Sequence, residues 1–252
     1  MAADRASPYN GQSVTEIVRQ TRASGSSLSE RIVVPSLTVE NYVKKIFQIC
    51  AEQGGRPAAT GQLAEALGVS PGTVTSMLKT LHEGNLAAYA PYEGVELTPS
   101  GRGLALRILR RHRVIELFLA QTLDMTWDEV HEEAEHMEHA VSDRLIDRID
   151  TFLGHPEVDP HGDPIPKADG SIARSDAHTL AACRVGEAFR LARVTDQSPG
   201  FLRYLSEAGL ALGSEGQVLT NRDEAGIVTI VVGGVETTLG HEAAAKILVT
   251  GT

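Results

Sequence analysis

Apolar positions recur every three or four residues from Leu37 onward, which is the period of an amphipathic helix. In LTVENYVKKIFQICAEQ, Tyr42, Ile46, Ile49 and Cys50 fall on one side, and GGRP stops the helix. The next stretch, ATGQLAEALGVSPGTVTSMLKTLHEGNLAAY, predicts two short helices. Thr60 caps the first, which buries Leu63, Ala64 and Leu67, and Gly68 supplies the tight turn after it. Ser70 caps the second, with Pro71 at a first position where its missing N–H is harmless. Val74, Met77, Leu78 and Leu81 form its apolar stripe, and Gly84 is expected to end it as a left-handed cap. Helix, glycine turn and capped helix make a helix-turn-helix pattern. LAAYAPYEGVELT adds two short strands around a turn near Pro91 to Gly94, a wing.

TPSGRGLALRILRRHRVIELFLAQTL predicts one long amphipathic helix, and MTWDEVHEEAEHMEHAVSDRLIDRIDTFLG one or two more. Thr126 is the expected N-cap, with Glu129 reaching back to it. Val130, Ala134, Met137, Val141, Leu145 and Ile149 would be the apolar stripe. HPEVDPHGDPIPKADGSIARSD, polar and proline-rich, is a loop or linker. After it the period shortens to two. AFRLARVTD, QVLTN, GIVTIVVGG and VETTLG are Val/Ile/Thr-rich, separated by glycines, and predict a small β-barrel of roughly 70 residues. The fold class is mainly α with a small β part. We expect a mobile arm over 1–35, a winged helix-turn-helix over 36–100, a helical domain over 101–168, a linker over 169–180 and the barrel over 181–252.

No run of apolar residues is long enough to span a bilayer and no leader pattern begins the chain, so a cytoplasmic protein is expected. The two cysteines, Cys50 and Cys183, lie far apart in apolar settings and read as buried free thiols. The net charge of −10 hides an asymmetry. Residues 37–113 carry nine Lys/Arg against six Asp/Glu, whereas 114–170 carry three against fifteen. A basic segment followed by a very acidic one suggests a site for an anion and a site for a cation.

The cation site has a candidate in HEEAEHMEH, which sets three histidines and four glutamates in nine positions. On a helix, with about 100° per residue, His131, Glu135, Glu138 and His139 share a face while His136 points away. The spacing excludes the zinc-protease motif, which needs histidines four apart around a glutamate. His112 and Glu116, four apart on the preceding long helix, offer a facing pair. Imidazole nitrogens and carboxylate oxygens suit Mn²⁺, Fe²⁺, Co²⁺ or Zn²⁺. For the anion site, Ser70, Thr73, Thr75, Ser76 and Lys79 are the exposed positions of the second helix of the helix-turn-helix, with Arg56 and Tyr92 beside them as phosphate contacts. His82, His136, His155, His178 and His241 read as surface or structural histidines.

LTVENYVKKIFQI, LAEALGVSPGTVTSMLKTLHEGNL, LTPSGRGLALRILRRHRVIELFL, VHEEAEHMEHAVSD and HGDPIP together give a chain that resembles the diphtheria-toxin-repressor family of metal-dependent transcriptional regulators, in its three-domain form. The resemblance implies an N-terminal winged helix, a helical dimerisation and metal domain and a C-terminal SH3-like (FeoA-like) domain. It also implies a homodimer that metal orders for a palindromic operator, with no enzymatic activity and no membrane partner. The family's ligand positions fall on His112, Glu116, His131, Glu135, Glu138 and His139. Iron-type members have a cysteine at Glu135 and a methionine at Asn41; manganese-type members have an acid at both. Here Asn41 is a neutral hard donor, and Lys44 replaces a carboxylate used by one manganese branch. Asp159, His161 and Asp196 match further ligand positions. The resemblance therefore implies a Mn²⁺-responsive repressor of metal-uptake genes, with Fe²⁺ as the alternative metal, and Co²⁺, Zn²⁺ or Cd²⁺ as substitutes in vitro. Readings of a different class are a metallohydrolase built on the His/Glu cluster, and an interaction protein with a structural metal.

Overall fold

The computed structural model describes residues 36–173 and 176–252, so the expected arm over 1–35 lies outside the described residues. Contacts divide the chain after Ala105 into two units.

In the first unit, α1 is Leu37–Glu52, α2 Thr60–Leu67 and α3 Pro71–Glu83, followed by β1 (Ala87–Ala90) and β2 (Gly94–Leu97). Ser36 caps α1, its Oγ accepting from the Val39 amide at 3.4 Å. Thr60 is not the cap of α2: Ala59 holds that position, and its amide donates to Gln62 Oε1 at 2.9 Å. Gly68 turns the chain in the left-handed region at φ 64°, and Ser70 Oγ accepts from the Thr73 amide at 3.2 Å. Val74, Leu78 and Leu81 are buried as the period requires. The left-handed residue after α3 is Asn85 (φ 55°), not Gly84 (φ −78°). The Leu86 amide donates to Leu81 O at 2.8 Å and the Asn85 amide to His82 O at 3.0 Å, a Schellman cap built on asparagine. The wing pairs Ala87 with Leu97 through Ala90 with Gly94. A two-bond bridge from Ala58 to Val95 fastens it to the segment before α2.

The long helix α4, Pro99–Leu123, begins in the first unit and runs into the second. In the second unit come α5 (Val130–Met137) and α6 (Asp143–Phe152). The expected helix start at Thr126 is corrected: the Thr126 amide and hydroxyl both donate to Glu129 Oε2, at 3.0 and 2.8 Å, and this turn precedes a helix beginning at Val130. The expected apolar stripe also breaks. Val130 and Ala134 are fully buried, but Leu145 is 48% exposed and Ile146 is buried in its place. The chain leaves the helix after Met137, and Ser142 caps a new one, accepting from the Leu145 amide at 3.3 Å. The new axis resets the phase of the stripe.

The C-terminal part is a sheet of β3 (His178–Thr179), β4 (Ala188–Val194), β5 (Glu215–Arg222), β6 (Ile227–Val232), β7 (Val235–Gly240) and β8 (Ile247–Gly251). The order is β3-β8-β4-β5-β6-β7, all antiparallel. The sheet is open rather than a closed barrel. Val228 and Ile230 alternate inward on β6, onto a core that includes Phe189 and Leu191 of β4 and Leu202 and Leu205 of α7 (Pro199–Glu207). Each such side chain contributes about 1.5–3 kcal/mol on burial. Strand β8, the helix α7 and the short α8 (His241–Ala244) were not among the sequence expectations.

This sheet docks on the helices of its own unit through the loop at 158–164. The Val194 amide donates to His161 O at 2.8 Å, and Gln197 Nε2 donates to Asp163 Oδ2 at 2.8 Å. Arg193 Nε pairs with Asp163 Oδ1. Gly162, at φ 85°, lies so close to β4 that a Cβ there would collide with the Ala192 carbonyl. From the helical side, Trp127 packs against the sheet core and donates from Nε1 to Ser206 Oγ at 2.9 Å. Among the described residues, no helix is long and apolar enough to cross a membrane.

Candidate metal centre

Two donor clusters in the second unit draw on the helices α4 and α5 and the docking loop. The first joins α4 to α5 through His112, His131 and Glu135, whose donor atoms lie within 4.8 Å of one another. His112 is held from both sides: Nδ1 is 2.6 Å from Glu138 Oε2, and Nε2 is 3.0 Å from Glu116 Oε1. His131 Nδ1 is 3.1 Å from the same Glu116 oxygen. His139 Nε2 stands 3.3 Å from Glu138 Oε1. Glu138 is fully buried, whereas the side chains of His131 and Glu135 are 41% and 39% exposed, so this cluster opens to solvent on the α5 side. His136 is exposed and outside both clusters, as the helical period requires.

The second cluster joins Glu116 to Asp159 and His161 of the docking loop, and all three are buried. His161 Nδ1 lies 3.8 Å from Glu116 Oε2 and 3.9 Å from Asp159 Oδ1. The tautomer is fixed from behind. His161 Nε2 is 2.7 Å from the Trp127 carbonyl oxygen, which can only accept, so Nε2 carries a proton and Nδ1 is the nitrogen turned toward the cluster. Glu116 Oε2, Asp159 Oδ2 and His161 Nδ1 are all buried without a hydrogen-bond partner. Buried acceptors left without a hydrogen bond cost about 1–3 kcal/mol each, and among the described residues only Asp159 Oδ2 of the three has an arginine near it, Arg113 Nε at 3.6 Å. A cation satisfies all of them at once.

The charges bear this out. Burial pushes the Glu116 carboxyl up, but the imidazoles of His112, His131 and His161 outweigh it and hold the group below the usual carboxylate range. Burial, and then the facing carboxylates of Glu116 and Asp163, push Asp159 well above its usual range, against the pull of Arg113. Asp159 Oδ1 meanwhile accepts from the His161 and Asp163 amides, at 2.8 and 2.9 Å, which shapes the loop.

Asp196 is not drawn into either cluster. Its Oδ1 accepts from the Ser198 amide at 2.9 Å, and its Oδ2 pairs with Lys246 Nζ at 2.8 Å. Asn41 belongs to the first unit; it is half-buried on α1 with Oδ1 unpartnered.

Sequence reasoning missed the role of the arginines in RRHR. Arg110 pairs with Asp147 and Asp150 at 3.1 and 3.2 Å, and Arg111 with Asp143 at 2.8 Å. Arg113 lies 3.6 Å from Asp159 and 3.4 Å from Asp163, and donates to Pro164 O at 2.6 Å. These cations brace the acidic segment. Without them and Arg107, residues 37–105 hold five Lys/Arg against six Asp/Glu, so the winged unit is not basic in bulk.

On α3, Ser70, Thr73, Ser76 and Lys79 are exposed and Thr75 is half-buried. The Ser70 hydroxyl is engaged as the cap, and Thr75 Oγ1 donates back to Pro71 O at 2.9 Å. The Thr73 hydroxyl also bonds Ser70 Oγ, at 2.9 Å, which leaves the Thr75 methyl, the rest of Thr73, Ser76 and Lys79 as the outward chemistry. Arg56 is exposed, with Nε donating to Gln53 O at 3.1 Å, and Tyr92 stands fully exposed at the wing tip with φ 69°.

Three family models match the chain in order. Residues 36–95 match the iron dependent repressor N-terminal DNA binding domain, 98–167 its metal binding and dimerisation domain, and 178–251 the FeoA domain. An uncharacterised HTH-type transcriptional regulator of Methanocaldococcus jannaschii is 36% identical over 118 residues, 47% of this chain and 94% of the relative. The iron-dependent repressor IdeR of Mycobacterium tuberculosis is 29% identical over 220 residues, 82% of this chain and 94% of the relative. A solved manganese-dependent transcriptional repressor in complex with manganese is 42% identical; the match covers 85% of this chain and all of that one, with a TM-score of 0.78.

Proposed function

The chain belongs to the diphtheria-toxin-repressor family of metal-dependent transcriptional repressors, and from that premise we propose that it is a Mn²⁺-responsive repressor of metal-uptake genes. The observation that carries the reading is the second cluster, where Glu116 Oε2, Asp159 Oδ2 and His161 Nδ1 are buried together without hydrogen-bond partners. Every donor in both clusters is an imidazole nitrogen or a carboxylate oxygen, and neither cysteine takes part. A thiolate-free set of this kind suits Mn²⁺ and Fe²⁺ alike; the preference for Mn²⁺ rests on Glu135 and Asn41 standing where the resemblance puts the iron-type cysteine and methionine, and tube affinity still follows the Irving–Williams order.

We assign His112, His131, Glu135, Glu138 and His139 to one metal position and Glu116, Asp159 and His161 to the other. Glu116 faces both. Asp196 is left out of the set because Ser198 and Lys246 engage its carboxylate. A bound divalent cation supplies the positive charge these carboxylates lack. The chain's own residues do the rest: the Trp127 carbonyl orients His161, Arg113 and Arg193 fix Asp163, and the loop carrying Asp159 hands its backbone to β4. Filling the second position thus ties the docking of the sheet to metal.

DNA contact is assigned to α3 through Thr73, Thr75, Ser76 and Lys79, with Ser70, Arg56 and Tyr92 at the phosphates. A two-fold dimer reads a palindrome with two such helices. The test is operator binding titrated with Mn²⁺, anaerobic Fe²⁺ and Zn²⁺ at one salt concentration, because phosphate contacts make affinity salt-dependent. The expected result is metal-dependent binding with Mn²⁺ effective. Equal affinity of chelator-stripped and Mn²⁺-loaded protein would sink the regulator reading. A response to Fe²⁺ with none to Mn²⁺ would overturn the metal alone.

A further inference from the structure

His178, Cys183 and Glu187 are separated by five and four positions, and the sequence leaves His178 as a surface or structural histidine and Cys183 as a buried thiol. The fold gathers them at the entry to the sheet. His178 lies on β3, the 3-10 turn Leu180–Ala182 reverses the chain, and Cys183 returns beside the ring. Cys183 Sγ is 3.4 Å from His178 Nε2, and Glu187 Oε1 is 3.2 Å from the same nitrogen. The three donor atoms lie within 4.8 Å of one another.

The group is held from outside. Asn221 Nδ2 donates to the carbonyls of Ala181 and Cys183 at 2.9 and 2.8 Å, which fixes the turn that presents the sulfur. Glu187 Oε2 accepts from the Arg184 amide at 2.8 Å, which turns Oε1 to the imidazole.

The Cys183 thiol has the Thr179 carbonyl at 3.8 Å as an acceptor, and the His178 Nε2 atom is left shared between Sγ and the Glu187 carboxylate. One imidazole nitrogen carries either a proton or a lone pair. If Nε2 donates to Glu187, it cannot accept from the Cys183 thiol. If it accepts from the thiol, its lone pair faces the Glu187 oxygen. A cation among the three satisfies all of them. The spacing agrees: Zn–S of about 2.3 Å with Zn–N and Zn–O of about 2.1 Å at tetrahedral angles sets S and N about 3.6 Å apart and N and O about 3.4 Å apart. The observed 3.4 and 3.2 Å are within a few tenths. The His178 and Glu187 side chains are 43% and 33% exposed, which leaves a side open for water.

We propose that Cys183, His178 and Glu187 form a third metal site in the C-terminal sheet domain, taking a borderline divalent cation of the Zn²⁺ type with water as the fourth ligand. Its sulfur sets it apart from the all-nitrogen and oxygen clusters of the helices. The reading is independent of the Mn²⁺ assignment, because neither helical cluster contains a thiol.

The experiment uses the full chain with Cys50→Ser, so that Cys183 is the remaining thiol, kept reduced and anaerobic and titrated with Co²⁺. The expected result is a sulfur-to-cobalt charge-transfer band whose limiting intensity corresponds to one thiolate–cobalt bond per chain, bleached by Zn²⁺ and absent in Cys183→Ser. His178→Ala, an exposed ring outside the core, should leave the circular dichroism unchanged and weaken Co²⁺ binding to the sulfur site by about ten-fold or more. No band in the Cys50→Ser protein, a band that survives Cys183→Ser, or unchanged cobalt affinity in a folded His178→Ala would overturn the proposal.

Discussion

Asp159→Asn should raise the stability of metal-free protein and blunt its response to metal. The substitution keeps the shape of the side chain and the acceptor that holds the loop, since an amide oxygen still receives the His161 and Asp163 amides now bonded to Oδ1. It removes a buried negative charge facing Glu116 and Asp163, and it forgoes the 3.6 Å pairing with Arg113. Because the folded carboxyl lies above its ordinary range, it costs the fold stability as pH rises through and beyond the unfolded value of about 3.9. A shift of one unit is about 1.4 kcal/mol, so a gain of about 1–3 kcal/mol at neutral pH is expected in chelator. For a chain of this size that is a rise of about 2–4 °C in Tm per kcal/mol. Metal acts in the opposite sense. Occupancy at a hundred times Kd stabilises wild type by about 2.7 kcal/mol per site, and the variant should lose that increment at the second position. Thermal melts in chelator and in Mn²⁺, from pH 4 to 8, measure both effects. A variant less stable than wild type in chelator, with an intact Mn²⁺ shift, would refute the idea that this loop is an anionic pocket awaiting a cation.

Glu138→Ala or His139→Ala should each remove one of the two Mn²⁺ equivalents in calorimetry, leaving the Glu116/Asp159/His161 position, while helicity persists, whereas His136→Ala, exposed and outside the clusters, should bind as wild type. The Asp159→Ala/His161→Ala double variant should lose one metal per chain and show a more open envelope by small-angle scattering, because the same loop meets β4; wild-type stoichiometry and envelope would remove the second position. Asp150, raised by burial but held below its usual range by Arg110 and His155, contributes stability above the unfolded carboxyl pKa and loses it as pH falls through the depressed folded value. Asp150→Asn should therefore cost about 1–3 kcal/mol at pH 7 in chemical unfolding, with the gap closing in acid. Asn85→Ala, which loses the residue type that tolerates φ 55°, should lower Tm, while Asn85→Gly should be near neutral.

The sequence by itself determined the elements whose signals are local. Gly68, Ser70 and Pro71 mark the turn and cap of the helix-turn-helix because a glycine in the left-handed region and a hydroxyl at an N-cap act within four residues. The four-residue spacing of His112 and Glu116 placed both on one face of α4 for the same reason. At the end of α3 the local signal pointed to Gly84, while the left-handed turn fell on Asn85, which also tolerates it. Tertiary structure decided the rest. The chain breaks between Met137 and Ser142, so Ile146 rather than Leu145 faces the core, a choice made by packing against α4 that no single period encodes. Which arginine meets which aspartate, how Trp127 sets the tautomer of His161, and why Cys183 lies against His178 depend on chain reversals and on partners tens of residues apart. Periodicity reports which face of an element is apolar; only the packed fold reports what that face meets.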